Sequence, residues 1–284
     1  MIAGLETMNS ANTTLQGMIY GSWMIRPNLW VLTNGWKNFQ YLVIGSERAA
    51  LIDSGEGQGN IRHVVEQITQ LQIMVINTHG HFDHTGGNGC WQTAWMGAAS
   101  GQDCRRGFTS THDRWAAEKP FPNYETRFLE DGARIDLGGE TLEVLSIPAH
   151  HDGSIALLAK ENRLLFTGDE FESGQVLILK DRSDLDFLPT IARHRANAER
   201  LLARRGEYEY LFPAHNGYML DPDRYLHDFI ALDTEILAST AKECPDTAGF
   251  NYPADVIASG SGFGAFGRQT RVSHGRASIV YIDH

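Results

Sequence analysis

Between residues 79 and 84 the chain reads His79, Gly80, His81, Phe82, Asp83, His84. Four side chains of metal-binding type thus occupy six positions directly after the apolar run Ile73 to Ile76. Three later residues stand at the ends of expected strands of their own: His150 in Ile147-Pro148-Ala149-His150, Asp169 in Phe166-Thr167-Gly168-Asp169 and His215 in Phe212-Pro213-Ala214-His215. Seven donors exceed what one zinc ion takes and suit two. A set of nitrogen and oxygen donors without thiolate points to catalysis rather than to a structural zinc. Two ions about 3.5 to 4 Å apart need a bridging carboxylate, and Asp169, alone on its strand end, is the candidate. Such ions lower the pKa of water from about 15.7 to about 7, so a hydroxide forms at neutral pH without a serine or cysteine nucleophile, and they polarise a carbonyl.

The order of these motifs, from the Asp53 turn to His215, resembles the metallo-β-lactamase superfamily. The resemblance implies that His79, His81 and His150 hold a first metal, that Asp83, His84 and His215 hold a second, and that Asp169 bridges the two. Pro148-Ala149-His150-His151-Asp152-Gly153-Ser154 is similar to the family's Pro-Gly-His-Thr-x-Gly-Ser segment, and that alignment selects His150 over His151. It also implies that Asp83 orients the nucleophile and passes a proton to the leaving group. Asp53 would support the cluster from behind by fixing a ligand's tautomer through its second ring nitrogen. The alternative for Asp53 is a cap on its own Ser54-Gly55 turn. Thr78 and Asn88 are near enough in sequence to join it.

Departures from the family pattern narrow the branch. The commonest zinc β-lactamases carry cysteine where this chain has Asp169, and flavo-diiron relatives carry glutamate where it has His81. Quorum-quenching lactonases place a tyrosine two residues beyond the bridging aspartate, where Glu170 and Phe171 follow here. The resemblance therefore implies a dinuclear zinc-dependent hydrolase cleaving an ester, thioester or lactone of a small, partly apolar metabolite by a metal-bridging hydroxide. Alternatives are a phosphodiesterase, a mononuclear iron enzyme of persulfide-dioxygenase type using His79, His150 and Asp169, and a noncatalytic scaffold. Glyoxalase II is close by motif, although its basic and tyrosine cluster for glutathione has no recognisable counterpart in the tail.

The elements that must carry these residues follow from pattern. Leu29 to Thr33 and Phe39 to Ile44 read as a hairpin around Asn34 to Asn38, and Ala49 to Ile52 as a third strand. Residues 58 to 71 have a helical period through Ile61, Val64, Val65, Ile68 and Leu71, and the strand 73 to 77 delivers the cluster. Arg134 to Asp136 pairs with Thr141 to Ile147, and Ile155 to Ala159 with Arg163 to Thr167. A helix runs from Pro189 to Arg204 and another through Tyr225, Phe229, Leu232 and Ile236, with the strand Tyr210 to Phe212 between them. The tail holds a glycine-rich stretch, 260 to 267, then strands Thr270 to Ser273 and Ala277 to Ile282. The expected class is α/β (α+β), a four-layer αββα sandwich of two mixed sheets with helices on the outer faces, in a single domain over residues 1 to 284.

Composition bounds the partners. A formal charge of −11 disfavours nucleic acid, whose binding needs a basic surface. Three cysteines without Cys-x-x-Cys spacing indicate free thiols rather than a disulfide framework. The segment before Arg26 lacks lysine and a continuous apolar stretch, unlike a secretory leader, and no run approaches a membrane span. A small-molecule substrate, no membrane partner and a cytoplasmic location are expected; nothing sets the oligomeric state. Trp23, Trp30, Trp36 and Phe39 with Trp91, Trp95 and Trp115 form either an aromatic wall for an acyl group or ordinary core. Arg193, Arg195, Arg200, Arg204 and Arg205 read as a solvated helix face. His63, His112, His194 and His227 read as surface or helix residues, His151 as a cavity neighbour, and His274 as a tail residue within reach of the site if the glycines fold over it.

Overall fold

The computed structural model describes residues 13–15, 18–34, 38–57, 59–105, 123–244 and 269–282. The first sheet contains, in spatial and chain order, β1 (Thr13–Leu15), β2 (Met18–Arg26), β3 (Leu29–Thr33), β4 (Phe39–Ile44), β5 (Arg48–Ile52), β6 (Gln72–Ile76), β7 (Thr93–Met96) and β8 (Glu125–Phe128). Pairing is antiparallel up to β5 and parallel from β5 to β8. The change occurs where α1 (Ile61–Ile68) carries the chain over the sheet, because a parallel partner needs a crossover. Asn60 caps α1 by accepting from the His63 N–H at 3.3 Å, and Ile61, Val64 and Val65 bury its apolar stripe.

The second sheet has the order β14 (Tyr210–Pro213), β12 (Leu164–Gly168), β11 (Ile155–Ala159), β10 (Thr141–Ser146) and β9 (Arg134–Asp136). It is mixed as well, since β14 runs parallel to β12 and the others are antiparallel. A smaller third sheet, β13 (Val176–Asp181), β16 (Ala277–Ile282) and β15 (Gln269–His274), was not foreseen as a unit.

Strand alternation explains the layers. Leu29, Val31, Tyr41, Val43 and Ile52 face inward, against Leu142, Val144, Leu157, Phe166 and Phe212 of the second sheet. Their neighbours Leu32, Leu42 and Leu51 face outward onto Ile61, Val64 and Val65 of α1. On the far side Leu145, Ala156, Leu158 and Leu165 meet α3 (Phe187–Ala203) and α4 (Pro222–Leu237), with Ile178, Ile279 and Tyr281 of the third sheet. The result is the expected αββα sandwich. Truncating Phe166 or Phe212, both buried between the sheets, would cost about 3–5 kcal/mol.

Several expectations need correction. Trp23, Phe39 and Tyr218 do cluster, with ring centres 5.4–6.3 Å apart, but Trp30 packs on the outer face of the first sheet and Trp95 lies under Arg127 at 5.4 Å. Neighbours on a strand point to opposite faces, so these tryptophans do not make one wall; Trp36 and Trp115 lie outside the described residues, as do His112 and the stretch 260–267. The arginines of α3 and the residues after it do form a partly exposed face, as expected, and pair there with acidic side chains: Arg200 with Asp131, Arg204 with Glu143 and Glu207, and Arg205 with Asp223. His274 is held by Glu235 of α4 at 2.8 Å. His194 is on a helix, but it is fully buried.

Candidate metal centre

Four loops converge at one edge of the sandwich. The loop after β6 and the short α2 (Phe82–Thr85) carry His79, His81, Asp83 and His84; the loops after β10, β12 and β14 carry His150, Asp169 and His215. All seven sequence-predicted donors come together, in two groups whose candidate ligand atoms lie within 4.8 Å of one another in each group. The first group is His79, His81 and His150; the second is Asp83, His84, Asp169 and His215.

The loops are held by close backbone approach. A Cβ on Gly80 would come within 2.8 Å of the Ser100 carbonyl, so only glycine lets the chain pass between His79 and His81. Gly168 sits at φ +55°, and a Cβ there would lie 2.6 Å from Thr78 Oγ1. The Ile155 N–H donates to the Thr78 carbonyl at 2.8 Å and so joins the ends of β6 and β11, one from each sheet. The His84 carbonyl accepts from Ser54 N at 2.8 Å and from Asn77 Nδ2 at 2.7 Å, which fixes the far end of the cluster.

Partners that can only accept hydrogen bonds set the histidine tautomers. His150 Nδ1 donates to the Leu177 carbonyl at 2.7 Å, leaving a lone pair on Nε2. Thr78 gives its hydroxyl proton to Asp53 at 2.8 Å, so its oxygen accepts from His79 Nδ1 at 3.2 Å, and His79 Nε2 also presents a lone pair. These two Nε2 atoms lie 3.0 and 2.9 Å from His81 Nδ1. Burial first, then the neighbouring imidazoles, push His79 well below its usual pKa and lower His81 to about 3; burial lowers His150 as well. Three neutral rings aim nitrogens at one point, which is what a divalent cation requires.

The second group works by carboxylates. His84 Nδ1 donates to Asp53 Oδ2 at 2.9 Å, and Asp53 Oδ1 accepts the Thr78 N–H at 2.7 Å. Asp53 adopts φ 60°, a conformation an aspartate tolerates better than most residues, so the supporting role and the turn role coincide in one residue. His84 Nε2 and Asp169 Oδ1 are buried, 3.3 Å apart, and neither has a hydrogen-bond partner among the described residues. A buried ring nitrogen and carboxylate oxygen facing each other in this way fit a cation between them, taken up as the ring gives up its Nε2 proton. Burial lowers His84, but Asp169, Asp83 and Asp53 outweigh it and raise the imidazole well above its usual range; Asp169 and Asp83 do the same to His215. Burial would raise both Asp83 and Asp169, yet the His84 and His215 imidazoles hold the two carboxyls far below theirs. Asp169 faces both groups. Its Oδ2 lies 3.9 Å from His79, 3.6 Å from His150 and 3.4 Å from His215, while Oδ1 faces His84.

Sequence reasoning missed several residues. Asn38, at the end of the β3–β4 loop, donates to the Asp83 carbonyl at 2.8 Å and pairs in an isolated bridge with His215. The Glu170 carboxyl accepts the His150 N–H at 3.0 and 3.2 Å, and burial raises it to about 8. Glu172, raised likewise to about 8 by burial, accepts from Asn216 at 2.8 Å beside His215. His151, expected as a cavity neighbour, does line a cavity of about 320 Å³ that opens beside His150, where it donates to Asp103 at 3.1 Å; Lys180 and Gln102, not foreseen, complete the polar wall. A signal existed for Glu170, an acidic residue directly after a candidate ligand. Asn38 gave none.

Comparison with known proteins agrees with this geometry. The family model of the metallo-beta-lactamase superfamily matches residues 34–215. The chain is 29% identical over 207 residues to the acyl-coenzyme A thioesterase MBLAC2 of Homo sapiens, covering 62% of this chain and 71% of that one. To a hydroxyacylglutathione hydrolase of Francisella tularensis subsp. holarctica it is 27% identical over 164 residues, covering 56% of this chain and 58% of that enzyme. In structure it is similar to a metallo-beta-lactamase family protein of Thermus thermophilus, with TM-score 0.59, 20% identity and 76% and 82% coverage. A metallo-beta-lactamase from Pontibacter korlensis superposes with TM-score 0.57, 19% identity and 76% and 99% coverage. Among the described residues no helix is long and apolar enough to cross a membrane. The chain is a metal-dependent hydrolase that belongs to the metallo-beta-lactamase superfamily.

Proposed function

We propose that the chain is a dinuclear zinc thioesterase acting on a small acyl thioester. The observation that carries the reading is the sharing of Asp169 between a neutral histidine triad and a carboxylate-rich group. His79, His81 and His150 would hold one ion, Asp83, His84 and His215 the other, and Asp169 both. When bound, the pair of ions would supply activated water and polarise the thioester carbonyl.

The chain's own residues do the rest. Asp53 and Thr78 fix His84 and His79 in the tautomers that leave Nε2 available. Asp83, whose side chain is 19% exposed, and His215, 21% exposed, form the open edge of the centre; the other donors of the second group are more deeply covered. Asp83 Oδ2, 3.2 Å from His215 Nε2, is ionised and able to take a proton from water and pass it to the leaving sulfur. A thiolate leaves readily, so the demand on that proton is smaller than for an alcohol. Thioester specificity within the ester, thioester and lactone class is supported by the two enzymes compared above, both named for thioester cleavage. Cys90, Cys104 and Cys244 as free thiols suit the reducing cytoplasm.

The test is zinc quantification on the purified chain together with thiol release from acyl-coenzyme A and acylglutathione. Two ions per chain and thiol release that depends on them are expected. One iron with oxygen uptake, or hydrolysis of bis(p-nitrophenyl) phosphate without thioester cleavage, overturns the reading.

A further inference from the structure

The helices over the second sheet carry a buried ion pair that hydrolysis does not use directly. His194 of α3 and Asp233 of α4 are both fully buried. His194 Nδ1 lies 2.8 Å from Asp233 Oδ2, and its Nε2 lies 2.9 Å from the Glu170 carbonyl oxygen. Both partners can only accept, so the ring donates from both nitrogens and is an imidazolium. Phe171 stacks on it at 4.7 Å and Phe229 meets it edge-on at 5.3 Å.

Packing alone does not call for such a pair. A buried ion pair costs desolvation on both sides, and apolar residues of similar volume often serve a helix interface as well or better. What the pair does that leucine could not is grip one backbone atom. That atom belongs to the residue after Asp169, and the same residue's carboxyl accepts the His150 N–H at 3.0 and 3.2 Å. Its own N–H donates to the Thr167 carbonyl at 3.2 Å. Glu170 is therefore the junction between the segment that carries the shared aspartate and the segment that completes the histidine triad.

We propose that His194 and Asp233 are positioning residues of the metal centre: the pair clamps the Glu170 carbonyl and, through Glu170, sets Asp169 and His150 at the spacing two ions require. The inference rests on the dinuclear reading given above. It says nothing about which substrate is cleaved, and the readouts that decide it, ion affinity and cobalt spectrum, need no substrate.

The double substitution His194→Met with Asp233→Leu separates positioning from packing, because it removes both charges without leaving either buried alone. Wild type and variant are titrated with Zn²⁺ against a chromophoric chelator, and the cobalt-substituted forms are compared by their visible absorption; urea unfolding gives stability. Positioning predicts equal or higher stability of the metal-free form, an ion affinity lower by about 10- to 100-fold, and an altered cobalt spectrum. In turnover it predicts a fall in kcat with KM preserved. Ile236→Ala, at a buried residue of α4 that makes no ring contact with His194, should lower stability and leave ion affinity and spectrum unchanged. If the double variant binds two ions with wild-type affinity and spectrum, the proposal is overturned. Should the double variant not fold, His194→Phe with Asp233→Asn, which keeps a ring in place and removes the N–H that meets the Glu170 carbonyl, is measured in the same way: weakened ion binding supports the clamp, and wild-type affinity and spectrum overturn it. A wild-type chain that takes up fewer than two ions overturns the dinuclear reading and this inference with it, and the titration shows that before any variant is compared.

Discussion

Replacing Asp53 by asparagine changes one atom and should disable the second ion site. The Asp53 carboxylate accepts three hydrogen bonds, from the Thr78 N–H at 2.7 Å, the Thr78 hydroxyl at 2.8 Å and His84 Nδ1 at 2.9 Å. An amide has one oxygen. If its NH₂ faces His84, the ring must move its proton to Nε2, and the nitrogen aimed at Asp169 is no longer a ligand. If the NH₂ faces the other way, it opposes the Thr78 backbone N–H, donor against donor in a buried place, at a cost of about 1–3 kcal/mol. Either orientation thus costs about the energy that a 10- to 100-fold loss of ion affinity represents, about 1.4–2.8 kcal/mol. Competition with a chelator should show one ion held as in wild type and the other weakened by that factor, with thiol release falling in parallel. Two ions bound with wild-type affinity at full turnover would refute the argument that Asp53 sets the His84 tautomer.

Asp169→Ala removes the proposed shared ligand and should lower metal content and abolish turnover together, as read by metal analysis and thiol release on one preparation. Asp83→Asn should preserve the fold by circular dichroism while slowing kcat, because the amide cannot carry the proton. Zinc added to the chelated protein should raise its melting temperature by several degrees; saturation at about 100 times Kd contributes about 2.7 kcal/mol. Glu143, held by Arg204 at 2.6 Å and Lys160 at 2.7 Å, has its carboxyl lowered to about 2 by those partners. A depressed folded pKa means the contribution is complete above the unfolded value of about 4.3 and is lost as pH falls toward about 2. Urea unfolding of Glu143→Gln should therefore show a deficit of about 1–3 kcal/mol at pH 7 that shrinks across that window.

The legible part of the site was the part made by local chemistry. His79 to His84 announce themselves by spacing, and His150, Asp169 and His215 by standing after apolar runs rich in β-branched or aromatic residues. The hairpins β3–β4 and β9–β10 were equally plain from their turn residues. What escaped was set by distant partners. The strands β7 and β8 are short, and β13 gains its identity by pairing with β16 about a hundred residues later, a fact no window of sequence contains. His194 lies on a helix, one of the two places expected for it, but its burial was not read although its position carried the clue: it falls three residues after Ile191 and four before Ala198, on the face those residues bury. Asp233 likewise falls between Phe229 and Ile236 on the buried side of α4. A polar residue in an apolar stripe is a signal that a partner is waiting, but the identity of that partner is tertiary.

Each donor group draws on both sheets. His79 and His81 come from the first sheet and His150 from the second, just as Asp83 and His84 come from the first and Asp169 and His215 from the second. Neither half of the chain owns a complete set, so a nascent polypeptide whose halves have not yet met lacks either full constellation. On the proposed ligand assignment, ion uptake during biosynthesis would be a late event, and the amount of metal retained by any destabilised variant would gauge how well its two halves remain docked.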